Sequence, residues 1–337
     1  MLSSTTAVSR RTVLCGLSST ACVLTLGGCA DVSSTGARFD ASGLSLNPVL
    51  LVATTRKPVK NARTKPWFGP ERASAMSVAR AKLEPPAEGR FSLTAVGLDD
   101  WHLDGIELVP QVGDLLAPAT ISRDVLIYVH GFDQTFEAAA LDAVRLSDGI
   151  RFRGETMVFA WPSKAKLLDY AYDRESAMWS RDALQQVLEA LTASPSVGRV
   201  HIVAHSIGTM VTMEALRQLH AVRGDASAAR FGALVLAAPD VDMDVFASSV
   251  ERIGALAPNI IVITATNDRA LALSRWIAGG ITRVGAAEKA RLTKLGLRVV
   301  DASQEGWGIV NHDLFLSNSP VRQVIRRAID GYAGLTG

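Results

Sequence analysis

Cysteine is scarce in this sequence, and its first 28 residues contain no acidic side chain. Three cysteines among 337 residues argue against a disulfide-stabilised scaffold and against a cysteine-rich zinc or iron–sulfur site. No uninterrupted apolar run reaches the roughly 18 residues of a membrane-spanning helix. The formal net charge of +2 is too small for a phosphate-binding surface, so we expect no nucleic-acid partner.

The N-terminal segment has the layout of an export signal followed by a lipid attachment site. Residues 1–28 carry the paired Arg10 and Arg11 before a weakly apolar stretch, as in a twin-arginine signal. Residues 26–29, LGGC, resemble a lipobox, in which Cys29 would carry a diacylglycerol. An ordinary secretory signal is the alternative. We expect an exported lipoprotein of the cell envelope, anchored in a membrane, with a signal over 1–28, a tether over 29–46 and a folded domain over 47–337.

Apolar residues make up 48% of the chain, which is enough for one large α/β domain with a full-sized core. From Asp124 onward, short apolar runs alternate with longer helical stretches, and this pattern predicts a mostly parallel, doubly wound sheet with helices on both faces. A solvated basic connection is expected from Arg56 onward, and an extended region is expected around 91–110. Predicted strands cover 49–54, 124–129, 157–160, 199–204, 233–238, 259–265 and 297–302; predicted helices cover about 135–148, 174–193, 207–222, 242–255 and 270–293, and a last helix opens at Ser319-Pro320.

A serine directly follows the predicted strand over 199–204, at the point where a helix begins. In the segment Ala204-His205-Ser206-Ile207-Gly208, small residues stand two before and two after this serine, as the sharp turn of a nucleophile elbow requires. Ala204 replaces the usual glycine but is still small. The alternative is a serine that only caps the helix.

A serine hydroxyl is a poor nucleophile unless a base accepts its proton, and elimination among the six histidines favours His312. His312 follows the last predicted strand, where the base stands in the chain order serine, acid, histidine. The remaining five fit other roles: His201 within a strand, His205 beside the serine, His130 in a turn, and His102 and His220 away from strand ends.

Asp268 follows the predicted strand over 259–265 and is the first candidate for the acid that orients the imidazole. Asp240, one strand earlier, is the alternative acid; its other possible role is that of a carboxylate at the N-terminus of the next helix. Both positions lie at the carboxyl ends of predicted strands, where sites form in doubly wound sheets.

Two backbone N–H groups are expected to form the oxyanion hole. Ile207 opens the elbow helix and supplies one, and the loop after the strand over 124–129 supplies the other, at Phe132 beside Gly131. The charge of Asp133 would repel an oxyanion, so we expect this side chain to point outward or to cap the following helix.

Together these segments resemble the bacterial α/β-hydrolase family of unknown function nine hundred, within the esterase/lipase superfamily. The resemblance covers about residues 50–330 and implies an α/β-hydrolase fold and a serine hydrolase that uses Ser206, Asp268 and His312, while it implies no particular substrate. The matching segments are Val52-Ala53-Thr54-Thr55-Arg56, Phe68-Gly69-Pro70-Glu71-Arg72, Tyr128-Val129-His130-Gly131-Phe132, Phe159-Ala160-Trp161-Pro162-Ser163, Tyr172-Asp173-Arg174-Glu175-Ser176, Ala204-His205-Ser206-Ile207-Gly208 and Asn267-Asp268-Arg269-Ala270-Leu271.

The sequence therefore predicts a carboxylic ester hydrolase that works through an acyl-enzyme on a small-molecule or lipid ester, with no metal or organic cofactor. An amide or thioester hydrolase of the same mechanism and a non-catalytic envelope lipoprotein remain alternatives. Two segments, 164–181 and 269–296, are candidates for a wall or cap over the serine. The alternative for the first is an amphipathic helix whose aromatic residues pack in the core, and the alternative for the second is an ordinary crossover helix.

Overall fold

The computed structural model describes residues 49–59, 65–85, 101–116, 122–166, 169–265, 282–287, 289–303, 316 and 318–333. All of these residues belong to the compact unit Arg38–Gly337. The predicted export signal, Cys29 and the tether lie outside the described residues, as do Asp268 and His312. Among the described helices, none is both long enough and apolar enough to cross a membrane.

Nine strands in the described residues form one sheet. The strands are β1 (Leu50–Pro58), β2 (Phe68–Glu84), β3 (His102–Val109), β4 (Arg123–Val129), β5 (Glu155–Ala160), β6 (Val197–His205), β7 (Phe231–Ala237), β8 (Ile260–Thr264) and β9 (Arg298–Asp301). Their spatial order is β3-β2-β1-β5-β4-β6-β7-β8-β9. Every pair from β1 to β9 in this order is parallel, and only β2 is antiparallel to its neighbours β1 and β3.

Helices connect the parallel strands. The described α-helices are α1 (Phe136–Gly149), α2 (Tyr170–Trp179), α3 (Arg181–Ala193), α4 (Gly208–Arg223), α5 (Met243–Ile253), α6 (Lys289–Thr293) and α7 (Ser319–Ala333). Short 3-10 helices cover Val112–Leu115, Gly224–Arg230, Gly254–Asn259 and Val284–Ala286.

Both faces of the sheet are covered, because the central strands are buried along almost their whole length. Successive side chains of a strand point to opposite faces, and β4 shows this directly. Val125 and Ile127 belong to a core shared with α3, α4 and α5, whereas Leu126 and Tyr128 belong to a core shared with α1 and α7. The prediction of a mostly parallel sheet with helices on both faces is confirmed.

One strand was not predicted from the sequence, and three local predictions are wrong. The 17-residue strand β2 was not predicted, and Arg56, expected in a solvated loop, is a buried residue of β1. The helix predicted over 174–193 is divided at Ser180, which separates α2 from α3. Within the described part of 270–293, Arg283 forms an antiparallel bridge with Asp242, and only Lys289–Thr293 is α-helical.

Candidate active site

Ser206 lies in the tight turn between β6, which ends at His205, and α4, which begins at Gly208. Its backbone φ is +50°, a left-handed conformation that costs a non-glycine residue roughly 1–3 kcal/mol. The Ser206 N–H donates to the Ala237 carbonyl at 3.0 Å, and the Asp240 N–H donates to the Ser206 carbonyl at 3.2 Å. These hydrogen bonds to the segment that follows β7 stabilise the strained turn, which presents the serine at the carboxyl ends of the strands.

The small residues around the serine have a packing reason. A β-carbon on Gly208 would collide with the backbone at the end of β4, including the Val129 carbonyl oxygen at 2.7 Å. Ala204 is fully buried, and its backbone pairs with Val129 of β4 and Leu236 of β7. The elbow therefore lies directly against the end of β4, from which the His130–Gln134 loop departs.

The His130–Gln134 loop lies beside Ser206. A β-carbon on Gly131 would come within 3.0 Å of the Ser206 β-carbon and within 2.7 Å of Nδ1 of His205. Among the hydrogen bonds between described residues, none uses the backbone N–H of Phe132 or that of Ile207. Both predicted oxyanion donors thus belong to backbone segments that flank the serine.

His130 fixes the start of this loop and is unsuited to be a base. Its ring is fully buried and stacks on Trp161, with ring centroids 4.5 Å apart, and its Nδ1 and Nε2 lie 2.8 and 3.0 Å from the Gly131 and Trp161 carbonyl oxygens. The Trp161 indole N–H donates back to the His130 carbonyl at 2.8 Å. Burial, together with the positive charge of Arg56, lowers the pKa of His130 to about 3, so the ring is neutral at ordinary pH.

His201 and His205 also have structural surroundings. His201 is buried in β6, where its Nδ1 accepts the Ala233 N–H at 3.0 Å. Since Nδ1 accepts, Nε2 is the ring nitrogen that can donate, and it lies 3.4 Å from Oδ2 of Asp124. His205 is buried against Gly131. The predicted base, His312, lies outside the described residues.

Asp240 lies next to the elbow, where it forms a buried ion pair. Its Oδ1 lies 3.0 Å from Nε of Arg283, and both side chains are only 3% exposed. Its Oδ2 accepts the Tyr170 hydroxyl at 2.7 Å. Asp240 does not cap α5, because the cap is Asp242, which accepts the N–H groups of Asp244 and Val245. The alternative role of Asp240 as the carboxylate at the start of that helix is therefore wrong.

Helix α2 forms one side of the site. The ring of Tyr170 meets that of Phe132 edge to face at 5.6 Å between centroids. Trp179, at the other end of the helix, is 51% exposed, so the aromatic residues of this segment do not all pack in the core. The described residues of 269–296 place Val284 and Gly285 against the segment after β7, with N–H groups that donate to Val241 and Pro239.

Arg56 is a component of the site that the sequence did not identify. It is 1% exposed, and its guanidinium donates to the carbonyls of Gln134 at 2.6 Å and Ser163 at 3.1 Å. Its position two residues after the predicted strand over 49–54 is the available signal, because a strand that continues through Arg56 places it at the carboxyl ends of the parallel strands, as Ser206 is. Among the described residues, no group of three or more His, Cys, Asp or Glu side chains is placed to hold a metal ion.

The structure also shows which of the two expected orientations the Asp133 side chain adopts. Asp133 is exposed, whereas the N-cap of α1 is Thr135, whose side chain accepts the Ala138 N–H at 3.2 Å. Asp133 therefore points outward and does not cap the helix. Its charge is solvated, as the oxyanion hole expected on this loop requires.

Comparison with known proteins gives a short curated match and distant structural matches. The uncharacterized protein alr1448 of Nostoc sp. (strain PCC 7120) is 36% identical over 62 residues, which cover 18% of this chain and only 16% of that protein. An esterase of Pyrobaculum calidifontis is 14% identical, with 76% of this chain and 82% of that chain covered and a TM-score of 0.36. A protein of unknown function from Agrobacterium tumefaciens is 15% identical, with 75% and 93% covered and a TM-score of 0.34. TM-scores of this size carry no argument about activity.

A family model gives the decisive comparison. It is described as alpha/beta hydrolase of unknown function (DUF900) and matches residues 116–328, which is more than half of the chain. The matched region contains the parallel strands β4 to β9, the His130–Gln134 loop and the elbow at Ser206. By this match, the chain belongs to the alpha/beta hydrolases of unknown function (DUF900).

Proposed function

We propose that this protein is a serine hydrolase that cleaves carboxylic esters, with Ser206 as the nucleophile. The observation that carries the proposal is the left-handed Ser206, at φ +50°, packed against Gly131 of the His130–Gln134 loop. A serine held in a strained strand-to-helix turn, beside backbone N–H groups that no hydrogen bond between the described residues uses, has the arrangement that acyl transfer requires.

In the proposed reaction, the Ser206 hydroxyl attacks the acyl carbon of the ester while His312 accepts its proton. The N–H groups of Phe132 and Ile207 bind the oxyanion that forms, and loss of one such donor typically costs about 2.7–4 kcal/mol of transition-state stabilisation. His312 then returns the proton to the departing alcohol. Water, deprotonated by the same histidine, then attacks the acyl carbon, the bond to the Ser206 oxygen breaks, and His312 returns the proton to Ser206 as the carboxylic acid leaves.

We assign the acid to Asp268 rather than to Asp240. Both carboxylate oxygens of Asp240 have partners, since Oδ1 faces Arg283 and Oδ2 accepts the Tyr170 hydroxyl. A triad acid must stabilise the imidazolium that forms on the base, and the charge of Asp240 is already balanced by the buried Arg283. This argument supports the position after β8 for the acid, which is the position of Asp268 in the sequence.

Hydrolysis of p-nitrophenyl esters of increasing acyl length tests the proposal. We expect turnover by the wild type and a loss of roughly 10³-fold or more in kcat in Ser206→Ala. The matched control is Ser249→Ala, because the Ser249 hydroxyl donates to the Val245 carbonyl of its own helix, α5. Equal activity in Ser206→Ala and the wild type, or no activity toward any acyl length in the wild type, would contradict the proposal.

We further propose that the enzyme is an exported lipoprotein of the cell envelope, with Cys29 as the lipidated residue. The paired arginines and the LGGC sequence before the described domain support this location. Cys29→Ala is expected to release the protein from the membrane fraction or to block processing of its signal. Unchanged fractionation and unchanged mass of the variant would count against lipidation.

A further inference from the structure

The His130–Gln134 loop contains one residue in an unfavourable backbone conformation, which contacts with neighbouring residues must stabilise. Asp133 has a φ of +60°, in the left-handed region that is unfavourable for a residue with a β-carbon. It stands directly after Phe132, whose N–H is one of the two proposed oxyanion donors. A loss of this conformation would move that N–H, so the contacts that maintain it bear on catalysis.

Arg56 and Ser163 hold the residue that follows Asp133. The carbonyl oxygen of Gln134 accepts Nη2 of Arg56 at 2.6 Å, and the Gln134 N–H donates to the Ser163 hydroxyl oxygen at 3.3 Å. Nη1 of Arg56 donates to the Ser163 carbonyl at 3.1 Å. The N–H and the carbonyl of Gln134 are therefore both held in place, one by Ser163 after β5 and the other by Arg56 of β1.

Asp173 of α2 completes this arrangement. The Ser163 hydroxyl donates to its Oδ2, and the Lys164 N–H donates to its Oδ1 at 2.9 Å. Burial raises the pKa of Asp173, against the opposing effects of these hydrogen bonds and of the Arg56 charge. The hydroxyl of Ser163 thus donates to a carboxylate and accepts from the loop, which fixes its orientation.

Arg56 is only 1% exposed, and a charged side chain is rarely buried to this extent. Burial lowers its pKa to about 10, which leaves it cationic at neutral pH, and Asp173, Glu137 and Tyr172 favour the charged form. The planar guanidinium donates at once to carbonyls on three separate segments, those of Gln134, Ser163 and Gly69. The ammonium group of a lysine cannot make these hydrogen bonds in the same geometry.

We propose that Arg56 is a positioning residue for the oxyanion hole: together with Ser163 and Asp173 it fixes the Asp133–Gln134 backbone and thereby the Phe132 N–H. The inference rests on the proposed serine-hydrolase function. Arg56 touches no reacting atom in this scheme. Its contribution is to the geometry that the transition state requires, so it affects kcat more than KM.

The test compares Arg56→Lys with the wild type in kcat and KM for p-nitrophenyl butyrate, with each preparation normalised by titration of its reactive serine with a fluorophosphonate. We expect kcat per titrated site to fall roughly 10-fold to 100-fold while KM stays within about twofold. The control is Arg123→Gln, an exposed arginine at the amino end of β4 that pairs with Glu155. Its kcat per titrated site should equal that of the wild type.

A purely structural role would lower the titratable fraction or the melting temperature of Arg56→Lys and leave kcat per titrated site unchanged, and this result overturns the inference. Should Arg56→Lys fail to fold, Ser163→Ala removes the hydroxyl that accepts from Gln134 and Ala165 and donates to Asp173, and it is expected to lower kcat per titrated site in the same direction. An unchanged kcat in that variant also overturns the inference. A wild type without a reactive serine would refute the proposed function itself, which separates the two failures.

Discussion

Gly131 and Ser206 are separated by so little space that a β-carbon on Gly131 would lie 3.0 Å from the β-carbon of Ser206. This contact joins the loop after β4 to the turn after β6, although the two residues are far apart in the sequence. It sets the distance between the proposed nucleophile and the Phe132 N–H that follows Gly131. The geometry of the proposed oxyanion hole therefore depends on the absence of a side chain at position 131.

Gly131→Ala is expected to lower kcat/KM for p-nitrophenyl butyrate by roughly 10²-fold, because the added methyl group displaces the loop and with it the Phe132 N–H. The matched control is Gly113→Ala, since a β-carbon at Gly113 meets nothing within 4 Å. Steady-state kinetics per titrated serine measures the effect. Equal kinetics in Gly131→Ala and the control would show that the loop does not shape the site.

Gly208→Ala is expected to destabilise the fold. The new β-carbon would collide with the backbone at the end of β4, including the Val129 carbonyl oxygen at 2.7 Å. The clash can be relieved only by a shift of α4 or of the central strand β4. Overpacking of this kind costs about 1–3 kcal/mol. Urea unfolding measures the change, with Gly105→Ala as a control, because no atom lies within 4 Å of a β-carbon there. A free energy of unfolding as high as that of the control would contradict the packing argument.

Asp240 and Asp268 are expected to respond differently to replacement by asparagine. Asp240→Asn leaves the buried Arg283 without its charged partner, which should lower the free energy of unfolding by about 3–5 kcal/mol. Asp268→Asn should lower kcat by roughly 10⁴-fold with little change in stability. The control for stability is Asp225→Asn, whose side chain is 76% exposed and pairs with His220. A catalytic loss of that size in Asp240→Asn, with full activity in Asp268→Asn, would reverse the assignment.

His130 is expected to make stability depend on pH below neutrality. The ordinary histidine pKa is 6.5, and the folded state lowers it to about 3. Above pH 6.5 both states are neutral and stability is full, whereas at lower pH the unfolded chain binds a proton that the folded chain does not. This group alone should reduce the free energy of unfolding by about 1.4 kcal/mol per pH unit between these values.

Urea unfolding at pH 7 and at pH 5, compared between the wild type and His130→Gln, measures this contribution as the difference between their pH slopes. Nuclear magnetic resonance of the wild-type imidazole gives a second test that does not depend on a folded variant. We expect the His130 ring to remain neutral at pH 5. A ring that titrates near 6.5 would contradict the burial and stacking described for it.

The parallel part of the sheet was predictable from the sequence because its strands are covered on both faces. A strand buried on two sides reads as a continuous apolar run, as in β4, β7 and β8, and such runs are hard to mistake. Strand β2 was missed for the opposite reason. It is antiparallel, and its residues Phe68–Glu84 include buried, half-buried and exposed positions without a regular alternation, with charged residues and a proline among them.

The candidate site was predictable where the backbone itself dictates the residue type. Gly208 must be small because the backbone at the end of β4 approaches it closely, and this requirement is visible in the sequence around Ser206. Gly131 must be small because the His205 ring and the Ser206 β-carbon approach it. The burial of Arg56 was not predictable, because the carbonyls that make it tolerable, at Gln134 and Ser163, come from other parts of the chain. Local sequence specifies none of these long-range partners.

The central claim, that Ser206 is an activated nucleophile, is tested most directly by locating a covalent adduct. The folded protein is treated with a fluorophosphonate, digested and examined by mass spectrometry. We expect a single phosphonyl adduct on the Ser206 side chain, formed by the wild type and by Ser249→Ala, and absent from Ser206→Ala and from urea-unfolded protein. An adduct on another residue, or no adduct on the folded wild type, would contradict the assignment of Ser206 as the nucleophile.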